Sequence, residues 1–222
     1  MTATEIGTAT HTVLRHLDLA ALDGVGARRA APIAPIDETV VRRQIEQMAA
    51  RGLLTSAEAA AVDPAVIGRF LHSPLGVEMR QQPNRVQREL PFSLAVRADE
   101  IANASVGQVV NLSPTSETLT NHLAENLKSK IQNLKSEADW VLVQGIIDCL
   151  IERSDGFVVL DFKTDRVEAD GVAEQAERYR TQMAYYARAV ETIFCRPVIV
   201  QTLYFLHCGV AVEMQPGTVR NG

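Results

Sequence analysis

Residues 141–163 read VLVQGIIDCLIERSDGFVVLDFK, and this stretch decides the fold. The apolar runs at 141–152 and 157–163 each have the length and β-branched content of a buried strand. Ser154-Asp155-Gly156 lies between the two runs and has the composition of a tight turn. The stretch therefore predicts a β-hairpin at the centre of a sheet.

Three ionisable side chains lie inside this otherwise apolar hairpin. Asp161 and Lys163 are two residues apart, so both side chains leave the same face of their strand, and the hairpin can bring Asp148 alongside them. An Asp-x-Lys pair on a strand is more often a solvated surface pair. Here both carboxylates lie in apolar surroundings, where an unpaired charge is costly and a divalent cation removes that cost. Oxygen ligands favour Mg²⁺ or Mn²⁺ over zinc.

Two carboxylates, a cation and an ammonium group can together hydrolyse a phosphodiester. The metal polarises the phosphoryl oxygen and lowers the pKa of water, while Lys163 either orients the nucleophile or neutralises the developing charge. The sequence leaves both roles open for Lys163.

The sequence on either side of the hairpin predicts helices and further strands. The first 80 residues predict a helical layer with helices at 5–17, at 37–50 and from Thr55 and Asp63 onward. A two-residue period from Arg85 predicts a strand, although Arg88 breaks it on the apolar side. Residues 172–194 predict one long helix, and Val198–Leu206 a strand followed by an edge at Val210–Met214. The fold class is α/β, with a mixed central sheet flanked by helices and an N-terminal helical layer.

Residues 102–138 do not continue this succession of helix and strand patterns, and their polar composition predicts an insertion. The chain is then a single domain of residues 1–222, in which 85–101 and 139–215 form the core. An apolar stripe runs along one possible helix in the insertion, and we expect it to pack on the domain itself or on a partner. Its members are Leu119, Leu123, Leu127, Ile131 and Leu134.

Composition excludes several classes of protein. Hydrophobic residues make up 46% of the 222, enough for a sizeable core, but no apolar run approaches the roughly 18 residues that span a bilayer. Three cysteines without CxxC spacing argue against disulfide frameworks, zinc knuckles and iron–sulfur sites. We therefore expect a cytoplasmic protein without membrane contact. With a net charge of −5, any nucleic-acid contact must rely on a local basic surface or a metal ion.

Four further residues are weaker candidates. Gln182 and Tyr186 are four apart on the predicted long helix and can reach one groove, although a core tyrosine beside a surface glutamine is the commoner arrangement. His11 is by itself more typical of a surface histidine than of a ligand. Gly7, one turn earlier, allows another backbone or a phosphate to approach closely.

Five short motifs occur in the order of a known family. They are Gly7-Thr-Ala-Thr-His11, Glu89-Leu-Pro-Phe92, Gly145-Ile-Ile-Asp148, Asp161-Phe-Lys163-Thr-Asp and Gln182-Met-Ala-Tyr-Tyr186. Together they resemble the RecB-type branch of the PD-(D/E)XK nucleases, and within it the C-terminal nuclease domain of the AddA family of AddAB helicase/nuclease subunits. The resemblance covers nearly the whole chain except residues 102–138.

The resemblance implies a restriction-endonuclease-like core and roles for individual residues. The family's metal ligands fall on His11, Asp148, Asp161 and the carbonyl of Phe162, and its catalytic lysine falls on Lys163. The ion is Mg²⁺, with Mn²⁺ as an alternative. The family's helical glutamine and tyrosine fall on Gln182 and Tyr186, and Glu89 matches a strand glutamate expected in the surroundings of the site.

The resemblance also implies an activity and partners. It indicates a deoxyribonuclease that digests single-stranded DNA ends, on the 3′-ended strand, during double-strand-break processing in the bacterial cytoplasm. The sequence has no GxxxxGK[ST] loop, so the chain corresponds to the nuclease part alone, and its partners would be the helicase part of AddA and an AddB-like subunit. A free-standing phage or mobile-element exonuclease and a non-catalytic module that grips DNA or a partner remain alternatives.

Overall fold

The computed structural model describes residues 1–22, 38–97 and 140–214. Six helices come first, a 3₁₀ turn at Pro83–Arg85 follows, and the sheet and two further helices make up the rest. The helices are α1 (Ala3–His16), α2 (Leu19–Leu22), α3 (Glu38–Ala50), α4 (Ser56–Ala61), α5 (Pro64–His72), α6 (Pro74–Gln81), α7 (Val172–Glu177) and α8 (Arg180–Phe194). The strands are β1 (Val86–Arg97), β2 (Trp140–Arg153), β3 (Gly156–Lys163), β4 (Val198–Phe205) and β5 (Val210–Met214).

The sheet is mixed, as the sequence predicts, and its strand order is β1-β2-β3-β4-β5. The pairs β1–β2, β2–β3 and β4–β5 are antiparallel, whereas β3 and β4 are parallel and are joined through α7 and α8. The predicted hairpin is confirmed, because Arg153 pairs with Gly156 across a two-residue turn at Ser154 and Asp155. β5 forms the predicted edge.

Helices cover both faces of the sheet. One hydrophobic core joins α1–α6 to the face that carries Cys149, Val158 and Leu160, and the other joins α7 and α8 to the face that carries Leu150 and Val159. The predicted N-terminal helical layer and the α/β class are both confirmed. The site residues lie between these two cores.

Local signals explain most helix starts. α1 begins two residues earlier than expected, because Thr2 rather than Thr4 caps it and forms a capping box with Glu5. Thr55 caps α4 and Asp63 caps α5, as predicted. Asp37, the expected cap of α3, lies outside the described residues.

The sequence reasoning missed α6, although Ser73 followed by a proline repeats the signature that starts α5.

Arg88 interrupts the predicted apolar alternation because β1 changes face at Glu89. Val86 packs against the N-terminal helices, whereas Leu90 packs against the α7/α8 side, although the two residues have the same parity. Glu89 has φ +54°, in the left-handed region that glutamate seldom adopts. The guanidinium of Arg88 consequently points at the end of α1 and donates to the carbonyls of Leu14 (3.0 Å) and Leu17 (2.7 Å).

The prediction of one helix over 172–194 is wrong in its middle. Arg178 and Tyr179 form a turn between α7 and α8, so the chain makes two helices there. No proline or glycine marks the break, and the apolar spacing continues across it. The periodicity therefore could not predict the break.

The predicted insertion at 102–138 lies outside the described residues, but its flanks are described. Arg97 and Trp140 are cross-strand partners at the ends of β1 and β2. The segment from 98 to 139 therefore joins two adjacent strand ends. In the three described ranges, the structure contains no helix with the length and hydropathy needed to cross a bilayer.

Because those strand ends are neighbours, a short connection can replace the segment. We expect a protein in which a short Gly/Ser linker replaces residues 105–136 to keep its fold and its metal-dependent activity, since loop-closure cost changes slowly with length. Circular dichroism and the nuclease assay described below test this. Loss of cooperative unfolding in the shortened protein would show that 102–138 belongs to the core.

Candidate active site

The site forms where β2 parts from β3. The pairing between these strands ends at Cys149 and Leu160, so Asp148 and Asp161 are the next residue on each strand. Both are buried, at 7% and 3% exposure. β2 continues beside β1, while β3 continues beside β4 as far as Lys163. Two carboxylates therefore face the fork between the separating strands.

At this fork the side chain of Asp148, and not a backbone carbonyl of β2, accepts the hydrogen bond from β3. Its Oδ2 accepts a hydrogen bond from the backbone N–H of Phe162 at 2.9 Å. Burial, and then the negative charge of Asp161, raise the pKa of Asp148 well above its usual value. A positive charge bound at the fork would relieve both effects.

His11 and Glu89 lie next to Asp148. His11 Nδ1 is 3.4 Å from Asp148 Oδ2, and one ligand atom from each of His11, Glu89 and Asp148 lies within 4.8 Å of the other two. Burial lowers the pKa of His11, which keeps the imidazole neutral, as a metal ligand must be. The His11 ring also has a hydrogen bond to the backbone of Phe162. Burial raises the pKa of Glu89, and the nearby Arg15 opposes that effect.

Gly7 fixes the position of α1 against the end of β3. A Cβ at this position would lie 2.7 Å from Thr164 Oγ1, so a larger residue would require the threonine hydroxyl or the helix to shift. The sequence predicts a backbone or a phosphate next to Gly7, whereas the structure places the Thr164 side chain there. His11, one turn further along α1, is placed over the fork by this contact.

Lys163 lies on the α8 side of the fork. Its Nζ is 2.7 Å from Asp161 Oδ2 and donates a hydrogen bond to Gln182 Oε1 at 2.9 Å. The contact with Asp161 lacks hydrogen-bond geometry, and within the described residues this buried carboxylate oxygen accepts no hydrogen bond. Its one close cationic neighbour among the described residues is therefore the ammonium group of Lys163.

Gln182 connects Lys163 to Tyr186. Its amide Nε2 donates to the Tyr186 hydroxyl at 2.7 Å, while its Oε1 accepts from the lysine. Burial, and then the charges of Asp161 and Asp148, raise the pKa of Tyr186 well above its usual value, so the hydroxyl stays protonated. The Tyr186 ring packs edge-on against Phe92, with centroids 5.7 Å apart.

The donor set fits a hard divalent cation. Carboxylates of Asp148, Asp161 and Glu89, the carbonyl of Phe162 and the imidazole of His11 could hold such an ion, and oxygen atoms dominate the set. The unbonded Oδ2 of Asp161 supports this assignment. A carboxylate-rich site beside an ammonium group suits the hydrolysis of a phosphate ester.

The structure brings all the predicted site residues to this one fork, from five elements: α1, β1, β2, β3 and α8. Glu89, expected only in the surroundings, lies in the cluster with His11 and Asp148. Sequence reasoning missed Tyr179, whose ring lies 3.7 Å from Lys163 Nζ. The composition of the sequence singles out Lys163 in a second way. Lysines occur only at 128, 130, 135 and 163, although Lys and Arg together number 22. Lys163 is thus the single lysine outside the predicted insertion.

Comparison with known proteins agrees with this geometry. The family model described as the PD-(D/E)XK nuclease superfamily matches residues 1–217. The chain is 39% identical over 215 residues to the AddA subunit of the ATP-dependent helicase/nuclease from Moorella thermoacetica, covering 95% of this chain and 12% of that protein. It is 36% identical to the protein of the same name from Pelotomaculum thermopropionicum (96% and 14% covered) and 34% identical to that from Geobacillus kaustophilus (97% and 14%).

The chain thus spans about one eighth of the length of these relatives, and it matches their nuclease region. The match includes α1 and β5, so it takes in the helical layer as well as the sheet. The chain belongs to the PD-(D/E)XK nuclease superfamily and is homologous to the nuclease region of AddA, a subunit of the ATP-dependent helicase/nuclease.

Proposed function

We propose that this domain is a Mg²⁺-dependent deoxyribonuclease, with Mn²⁺ as an alternative ion, that digests single-stranded DNA ends. One observation carries the proposal: Asp148, Asp161 and Lys163 converge at the fork between β2 and β3, with His11 and Glu89 beside them. Asp148 and Asp161 bind the metal together with His11 and the carbonyl of Phe162.

A bound divalent cation supplies Lewis acidity toward the phosphoryl oxygen and lowers the pKa of water. Lys163 places its ammonium group beside Asp161, where it neutralises charge that develops on the phosphate or orients the attacking water. Gln182 fixes the ammonium group, and Tyr186 fixes Gln182. The buried walls of the fork exclude bulk solvent, and this strengthens the electrostatic interactions among these groups.

The relatives' name supports a finer assignment. A protein named as an ATP-dependent helicase/nuclease couples unwinding to cutting, and we infer that this domain cuts the 3′-ended strand during double-strand-break processing. The partners in this proposal are the helicase part of AddA and an AddB-like subunit. The bacterial cytoplasm, where such repair occurs, is the proposed location.

Two alternatives differ in partner or in chemistry. A free-standing exonuclease of a phage or mobile element has the same metal site without a motor. A non-catalytic DNA- or partner-binding module would need neither Lys163 nor the unbonded oxygen of Asp161. The presence of both favours a catalytic domain.

The first prediction from the proposed function concerns cofactors. We expect cleavage of labelled single-stranded DNA to require Mg²⁺ or Mn²⁺ and to be independent of ATP, because the site is carboxylate-rich and the sequence has no nucleotide-binding loop. Digestion with metal, with EDTA, and with or without ATP measures this. Full activity in EDTA would refute a metal site at Asp148 and Asp161.

A second prediction separates two residues that are both essential. Asp161→Ala should weaken Mn²⁺ affinity, since it removes a ligand. Lys163→Ala should leave Mn²⁺ affinity equal or slightly higher but lower turnover by about two orders of magnitude or more, since it removes a positive charge beside the metal. Calorimetric titration and the DNA assay measure the two quantities.

Arg43→Ala serves as the control for this pair of variants, because Arg43 is exposed on α3 in the N-terminal layer. It should change neither quantity. A Lys163→Ala protein that cuts DNA normally would place the catalytic group elsewhere.

A third prediction follows from the raised pKa of Asp148. In EDTA, burial of the carboxylate destabilises the fold, and this penalty grows as pH rises from the ordinary aspartate pKa to the raised pKa of the folded protein. Asp148→Asn keeps an oxygen for the Phe162 N–H and removes the charge. The variant should therefore be inactive yet more stable, by on the order of 1 kcal/mol at neutral pH.

Thermal unfolding in EDTA between about pH 4 and pH 8 measures the difference in stability, which should widen as pH rises. Asp155→Asn, at the exposed hairpin turn, is the control and should show no such widening. Equal stability of the wild-type and Asp148→Asn proteins throughout the range would mean that the carboxylate is solvated in the folded state.

A further inference from the structure

The ammonium group of Lys163 is enclosed by three neighbours. Asp161 Oδ2 lies 2.7 Å from Nζ as the anionic partner, and Gln182 Oε1 accepts a hydrogen bond from Nζ at 2.9 Å. The ring of Tyr179 covers a third side, with its centroid 3.7 Å from Nζ. The lysine side chain is only 12% exposed. At this distance and this degree of burial, the face of the ring attracts the cation.

The hydroxyl of Tyr179 fixes the ring in place. It donates to Asp165 Oδ2 at 2.7 Å and also has a hydrogen bond with the Gln175 side chain. Asp165 follows β3 and Gln175 lies on α7, while Tyr179 itself lies at the break between α7 and α8. The break that the sequence did not predict thus places one tyrosine between the end of β3 and both helices.

Asp165 is a carboxylate two residues beyond Lys163 in the sequence, and a lysine on a flexible stem can turn from one carboxylate to another. The hydroxyl of Tyr179 engages an oxygen of Asp165, while the ring fills the space beside Nζ. The ring contact favours the arrangement in which Lys163 faces Asp161 and Gln182, and the hydroxyl contact helps to hold the ring.

From these contacts, we propose that Tyr179 is a positioning residue for the nuclease reaction. Its ring holds the Lys163 ammonium group toward Asp161 and Gln182, and its hydroxyl, through Asp165, helps to hold the ring. This inference rests on the proposed function in one respect, the catalytic role of Lys163. The contact itself can be measured without any reaction.

Nuclear magnetic resonance tests the contact directly. The full chain has only four lysines, so ¹³C-labelled lysine gives four sets of Cε–Hε signals, and Lys163→Arg identifies the signal of Lys163. Protons over a ring face resonate upfield. We expect an upfield Lys163 Hε signal that persists in Tyr179→Phe and moves toward the ordinary lysine position in Tyr179→Leu.

Steady-state cleavage of single-stranded DNA tests the consequence. In Tyr179→Leu, kcat should fall by about 10- to 100-fold, the scale of loss when a reacting group is displaced by about 1 Å, while KM and Mn²⁺ affinity stay unchanged. Tyr179→Phe keeps the ring and should retain kcat within about threefold. Tyr185→Leu is the matched comparison, because Tyr185 is another half-buried tyrosine, on α8.

The outcomes distinguish the possibilities. An ordinary Lys163 Hε position in the wild type, or wild-type kcat in folded Tyr179→Leu, would overturn the inference. Asp165→Asn keeps the ring and gives a second measure should Tyr179→Leu not fold: an Hε signal that remains upfield supports the ring contact, and an ordinary position overturns it. If Lys163→Ala cuts DNA normally while the upfield shift is present, the proposed role of the lysine has failed, and the positioning role with it.

Discussion

Two buried carboxylates on adjacent strands, Asp148 and Asp161, are the constraint on which the rest of the site depends. Each charge is costly where it lies, and their mutual repulsion adds to the cost. The structure meets part of this cost with a backbone N–H from Phe162 and the ammonium group of Lys163. A further positive charge at the fork would relieve the remaining cost, and this is the physical basis of the proposed metal site.

The fork between β2 and β3 explains why the carboxylates can be so close. Had the ladder continued past Cys149 and Leu160, the backbone groups at the next position would pair with each other. Because the strands part, the N–H of Phe162 is free to donate to a side chain. Glu89 has its left-handed backbone beside the same point, where β1 turns from one layer of helices to the other. Such unusual conformations persist where the surrounding structure over-determines them.

The sequence predicts the sheet and the convergence of Asp148, Asp161 and Lys163 because both follow from short-range patterns. The hairpin follows from two apolar runs and a turn, and Asp161 with Lys163 follows from the two-residue period of a strand. The face change at Glu89 and the break at Tyr179 are not predictable in this way. Both depend on contacts between elements far apart in sequence: Arg88 binds the end of α1, and Tyr179 binds residues after β3.

His11 is a residue that the family motifs predict and that no local sequence pattern predicts. A histidine on a helix has no local property that marks it as a ligand, and only the ordered set of motifs predicts its place. The structure supplies the physical reason in Gly7, which lets α1 approach Thr164 so closely that a side chain one turn later reaches Asp148. The glycine and the histidine therefore act together: the glycine sets how near the helix comes, and the histidine extends from the helix to the fork. Because α1 carries both residues, we expect a bulkier residue at position 7 that shifts the helix to change the distance between His11 and Asp148 as well.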